Sequence, residues 1–205
     1  MHLDPSYLME CFASGLLVGV RVTQHGLGTL AVPSGLLAAC DPFVFADEVE
    51  PFTLPVPTGE HNVVVTLAES EGETRVAFVR LQLSDLDPVS WDLMTVDGQD
   101  QSQLGPHEIF GVPVDAGTGC LADHESVREL ASLLAADADY SSRIFAEMEK
   151  TRGLNWSALN WLLPSGLNVV VYTSGYGDGI YPTYVGLAAD GTIVCVVSDI
   201  QVRGE

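Results

Sequence analysis

Residues 63–83 constrain this chain more tightly than any other segment. Val63-Val64-Val65-Thr66-Leu67 is β-branched and apolar, and the run from Arg75 to Leu83 alternates polar and apolar positions at period two. Glu69-Ser70-Glu71-Gly72-Glu73 lies between them and supplies a turn, so the two runs read as a hairpin. The second run has apolar residues on both parities, Val76 and Phe78 on one and Val79, Leu81 and Leu83 on the other. Such a strand is expected to be buried on both faces over part of its length.

Short strands recur along the chain. Residues 15–45 alternate apolar runs with turn residues, with breaks expected at Gly26-Leu27-Gly28 and at Pro33-Ser34-Gly35. Pro51, Pro55 and Pro57 impose an extended stretch that suits a sheet edge or a crossing loop. In the last third, Leu167–Tyr172, Tyr181–Leu187 and Thr192–Val197 read as strands, with Asp190-Gly191 as a hairpin turn. Between these β-rich regions Val127, Leu130, Ala131 and Leu134 fall at i, i+3, i+4 and i+7, one buried helical stripe. Asp123 is placed to cap that helix, and Glu125 sits in its first turn, where the helix dipole favours an anion. A second helix is expected over Ser141–Lys150, turning Ile144, Phe145 and Met148 inward and stopping before Gly153. The expected fold is α+β, mostly antiparallel β-sheet with two short helices in the middle of the chain. No repeat or linker divides residues 1–205, which read as a single domain. Residues 97–103 carry no apolar side chain, and a mobile surface loop is expected at 97–107.

Charge then limits function. The chain has 8 Lys and Arg against 28 Asp and Glu, a formal charge of −20. That sign repels polyphosphate backbones and anionic bilayers, so neither nucleic acid nor a membrane surface is an expected partner. Hydrophobic residues make up 47% of the chain, enough to bury a core rather than remain disordered. No apolar run reaches the ~18 residues of a membrane span. Met1–Ser14 lacks a basic segment ahead of an apolar one, so a cytoplasmic location is expected. Cys11, Cys40, Cys120 and Cys195 are widely spaced and lack a Cys-x-x-Cys pair, which points to buried thiols rather than zinc ligands or a disulfide framework.

Two glycine-dense segments carry the candidate chemistry. In Val114-Asp115-Ala116-Gly117-Thr118-Gly119-Cys120, Gly117 and Gly119 permit close backbone approach to a bound group, and a following helix N-terminus would offer free N–H donors. The segment matches neither the P-loop nor the dinucleotide fingerprint, and Asp115 also suits a turn that caps its own backbone. In Ser174-Gly175-Tyr176-Gly177-Asp178-Gly179, Asp178 is a candidate base or metal ligand, and Tyr176, Tyr181 and Tyr184 are candidate hydrogen donors. If the two loops meet, Asp115, Cys120 and Asp178 would line one pocket. A carboxylate pair there would hold a divalent cation or divide acid and base roles, with Tyr181 as a further catalytic candidate. Gly117, Gly119, Ser174, Tyr176 and Tyr184 would form its ligand-binding surface. Cys120 and His124, at i and i+4, would touch only if both were helical. The remaining histidines show no metal-ligand spacing.

Three stretches together resemble a known family. They are Val32-Pro33-Ser34-Gly35 through Cys40-Asp41-Pro42-Phe43, then residues 114–120, then residues 174–179 with Tyr181, Tyr184 and Gly186. In order and spacing they resemble the bacterial family catalogued as domain of unknown function 4241, over roughly residues 30 to 203. The resemblance implies positions to weigh and no activity. Two readings of function follow. An acidic cytoplasmic binding protein, of the immunity or inhibitor kind, would mask a basic protein partner. The alternative is a small enzyme or ligand-binding domain with its pocket in the loops at 114–120 and 174–186 and metal-assisted hydrolysis as its chemistry. The first needs no geometry beyond the charge and is preferred.

Overall fold

A computed structural model describes residues 7–8, 11, 16–17, 20–70, 72–105, 108–153 and 155–202. Every strand pairing among these residues is antiparallel. The largest sheet is built on the hairpin of β4 (Gly59–Ser70) and β5 (Glu73–Gln82). Val76–Val79 and Leu81 are buried, so β5 is covered on both faces through its middle. Around the hairpin stand β1 (Leu16–Leu17), β2 (Val20–Val32), β6 (Ser90–Leu93), β12 (Thr183–Leu187) and β13 (Ile193–Asp199), in the order β1-β2-β4-β5-β13-β12-β6.

A second sheet has the order β3-β8-β10-β9, from Leu37–Cys40, Thr118–Asp123, Asn168–Thr173 and Ala158–Leu162. It packs against β2 and β5 on one side. Its other side is covered by α1 (His124–Ala136) and α2 (Tyr140–Thr151). This middle-layer position explains why all six residues of β8 and the central four of β10 are buried. A two-stranded ribbon, β7 (Val112–Val114) with β11 (Gly179–Tyr181), completes the set. The architecture is the α+β, mostly antiparallel one that the residue patterns imply.

Asp123 caps α1 as expected, accepting from the Glu125 N–H at 2.9 Å. Its other oxygen accepts from the Ser34 N–H at 2.9 Å and the Ser34 hydroxyl at 2.7 Å, which ties the Pro-Ser-Gly turn to the helix. Ile144 and Met148 face inward from α2. Phe145 does not: it is 40% exposed, with its ring stacked on Phe43 at 4.3 Å between centroids.

Two local expectations are corrected. Gly26-Leu27-Gly28 does not break a strand but forms a bulge within the continuous β2, with the register shift between Gly26 and Thr29. The reason lies far along the chain. The Asn160 amide donates to the carbonyls of Leu27 (2.9 Å) and Thr29 (2.8 Å), and Asn168 donates to Thr29 at 2.7 Å, so the carbonyls are satisfied without the ladder. The glycine segment 114–120 also does not lead straight into a helix. It leads into β8, and the helix N-terminus one strand later is already capped by Asp123. Residues 97–105 form an exposed stretch with a short 3-10 turn, and positions 106 and 107 lie outside the described residues.

Candidate functional site

The ribbon brings the two glycine segments together. Val112–Val114 pair with Gly179–Tyr181, which sets residues 114–118 against residues 174–179. The junction is laced by backbone. Ser174 N–H donates to the Gly117 carbonyl at 3.0 Å, and Gly117 N–H donates to the Asp178 carboxylate at 3.2 Å. The Ser174 hydroxyl donates to the Gly177 carbonyl at 2.8 Å. Tyr181 donates to the same carbonyl at 2.7 Å and to that of Ser174 at 3.0 Å. Burial raises the Tyr181 phenol from its ordinary range. Gly175 has φ +63°, and a Cβ there would stand 2.5 Å from Val202 Cγ2, so only glycine fits.

The other candidates occupy varied places. Asp115 and Asp178 are both exposed on this junction. Cys120 does not join them: it is fully buried within β8, directly opposite Cys40 in the register of β3 and β8. Gly119, also in β8, faces the Tyr172 ring, 2.5 Å from where its Cβ would be. Tyr176 is 63% exposed and lies under the Arg75 guanidinium at 4.8 Å. Tyr184 is buried in the large sheet opposite Leu93 and Val197. His124 reaches the Val49 carbonyl at 3.3 Å rather than Cys120, because Cys120 is on a strand and the helix begins after it. The space enclosed beneath the junction, between Gly119, Tyr172 and Tyr181, is about 10 Å³, room for one water at most. Among the described residues no three His, Cys, Asp or Glu side chains are grouped to hold a metal ion.

The residue that organises this region is Asp41, which the sequence reading did not single out. It is completely buried. One carboxylate oxygen accepts from the Asp115 N–H at 3.0 Å and the Ala116 N–H at 2.6 Å. The other accepts from the Phe43 N–H at 3.0 Å. Asp41 therefore fixes the first glycine loop and starts the turn that carries residues 42–50. Its sequence signal was the Asp41-Pro42 dipeptide, a turn-former placed where a strand ends.

Beyond that turn opens a cavity of about 290 Å³. Cys40, Phe45, Phe52, Met94, Val96 and Val112 form its apolar walls. Glu48, Glu50 and Gln99 stand at its edge, the two glutamates exposed to solvent. Three backbone bonds hold the walls: Phe52 N–H to the Leu37 carbonyl at 2.8 Å, Thr53 N–H to Thr95 at 2.9 Å and Met94 N–H to Thr183 at 2.8 Å. No Lys, Arg or His is among its described lining residues. Apart from Thr183, the lining comes from two stretches, 22–74 and 81–127, that contain no Lys or Arg at all.

Fold and site together define an α+β domain with a closed glycine junction next to an apolar cavity edged by carboxylates. The chain belongs to the family described as Protein of unknown function (DUF4241), whose model matches residues 30–198. That span includes Asp41, both glycine segments and the cavity. No curated protein and no solved structure matches the chain. Among the described residues no helix is long and apolar enough to cross a membrane.

Proposed function

We propose that this protein binds a basic protein partner and takes an Arg or Lys side chain of that partner into the acid-edged cavity. The observation that carries the reading is the pairing of apolar walls with Glu48 and Glu50 at the mouth. A long cationic side chain has matching parts: an aliphatic stem that gains from leaving water, and a charged head that stays at the edge. The charge of −20 supplies long-range attraction for such a partner. The role is that of an immunity- or inhibitor-type protein masking a cationic surface, acting in the cytoplasm, where unpaired thiols are kept reduced. Metal-assisted hydrolysis at the glycine junction is less well supported. There Asp178, Ser174 and Tyr181 each bond to main chain, and Asp115 is exposed to solvent.

The test uses a captured partner. The immobilised chain is exposed to an extract of its own cells at about 50 mM salt, and the bound protein is identified and purified. It should be basic, and its association rate should fall tenfold or more by about 500 mM salt. The double variant Glu48→Gln/Glu50→Gln should weaken binding by about tenfold to a hundredfold. A partner whose affinity is unchanged by both salt and the double variant refutes the reading.

A further inference from the structure

We propose that Cys40 and Cys120 are a modification site, a dithiol that a hydroperoxide converts reversibly to a disulfide at the floor of the cavity. Cys40 and Cys120 are the last register pair of β3 and β8, directly opposite one another. Directly opposed residues on antiparallel strands have Cα atoms about 4.5 to 5.5 Å apart, inside the span a disulfide needs. Side chains of directly opposed residues leave the same face of the sheet, so the two thiols stand side by side.

Access is asymmetric. Cys40 lines the cavity, whereas Cys120 is sealed within the middle layer of the fold. Cys40 is therefore the sulfur a small oxidant reaches, and Cys120 is the resolving one. The Cys40 sulfur attacks the O–O bond of hydrogen peroxide. An S–O bond forms, and the departing hydroxide leaves as water with the thiol proton. Cys120 then attacks the Cys40 sulfur: the S–S bond forms, the S–O bond breaks, and a second water leaves with the Cys120 proton. Two electrons pass from the thiols to the peroxide, and a dithiol reductant returns them. The hydrogen bond to Cys120 and burial push the Cys40 thiol well up, so little thiolate exists near neutrality and the reaction is slow. Cys195 lies in the large sheet, outside the cavity lining.

The oxidised bond would join β3 to β8 beside Asp41, fixing one wall of the cavity. This inference is independent of the partner proposed above. The folded chain is incubated with about 1 mM hydrogen peroxide, alkylated after unfolding, and mapped by peptide mass spectrometry. The expected products are a mass lower by about 2 Da before alkylation, a cross-linked peptide pair joining Cys40 to Cys120, and alkylation confined to the other two cysteines. Dithiothreitol should restore all four thiols, and the urea midpoint should rise on oxidation. Cys40→Ser and Cys120→Ser should each lose the cross-link and the rise; if either fails to fold, the peptide map of the unaltered chain decides alone. Four alkylated cysteines after treatment would overturn the proposal. So would a different cross-linked pair, or oxidation of Cys40 that stops at the sulfinic acid.

Discussion

Replacing Asp41 with Ala removes one carboxylate and strands three N–H donors at once. Two of them, on Asp115 and Ala116, belong to residues whose side chains are exposed, so water can replace part of what is lost. The third, on Phe43, lies in a half-buried turn. Hydrogen bonds to a charged acceptor contribute about 1.5–3 kcal/mol each, and partial replacement by water brings the first two down to about 1 kcal/mol apiece. The sum is about 3–5 kcal/mol, a large share of an ordinary domain's stability. Asp41→Asn should cost about half as much. Its amide oxygen still accepts from Asp115 and Ala116, while its NH₂ group then faces the Phe43 N–H. Urea unfolding at neutral pH measures both values, and hydrogen exchange locates the damage. The Asp115 and Ala116 amides should lose protection by tenfold or more in the Ala variant. An Ala variant within about 0.5 kcal/mol of the unaltered chain, with both amides still protected, would refute the role assigned to Asp41.

Two further outcomes follow from packing and ionisation. Gly175→Ala combines a left-handed backbone with clashes against Val202 at 2.5 Å and Ile200 at 2.8 Å, and should lower stability by at least about 2 kcal/mol in urea unfolding; a loss under about 0.5 kcal/mol would contradict that packing. Burial pushes the Cys195 thiol up to about 12, whereas an unfolded thiol ionises near about 8.5. The folded state thus holds a proton that the unfolded state releases. This contribution is complete below about pH 8.5 and is lost as pH rises toward about 12, at about 1.4 kcal/mol per unit for Cys195 alone. Cys195→Ala should flatten the decline of the urea midpoint between pH 9 and 11, whatever its effect at neutral pH, and an unchanged slope would refute the assignment.

Local signals carried most of the fold. Period-two runs marked β4 and β5, and the i, i+3, i+4, i+7 stripe with Asp123 ahead of it marked α1, because neighbouring residues alone determine those patterns. Residue type posed the meeting of the two glycine segments only as a condition, which the pairing of β7 with β11 meets. It did not show what they do on meeting, since Ser174 and Tyr181 turn to carbonyls of their own loop and Asp178 to an amide of the opposite one. The β2 bulge was read as a turn because the Asn160 and Asn168 amides that satisfy it lie some 130 residues further on. Asp41 stood in a stretch that carries the family resemblance, but its role was hidden for the same reason, two of its three donors being 74 and 75 residues away. The cavity is assembled from four separated segments, none of which looks like a site by itself.

The central claim, that the cavity accepts a cation on an apolar stem, is tested most directly by titrating the ¹⁵N-labelled chain with hexylguanidinium and, separately, with 1-hexanol and guanidinium. Hexylguanidinium should shift the amides of Val49, Glu50, Val96, Gln99 and Val112 with a Kd of about a millimolar, at least tenfold tighter than either fragment. Shifts scattered over the whole acidic surface, or equal binding by the neutral alcohol, would contradict it.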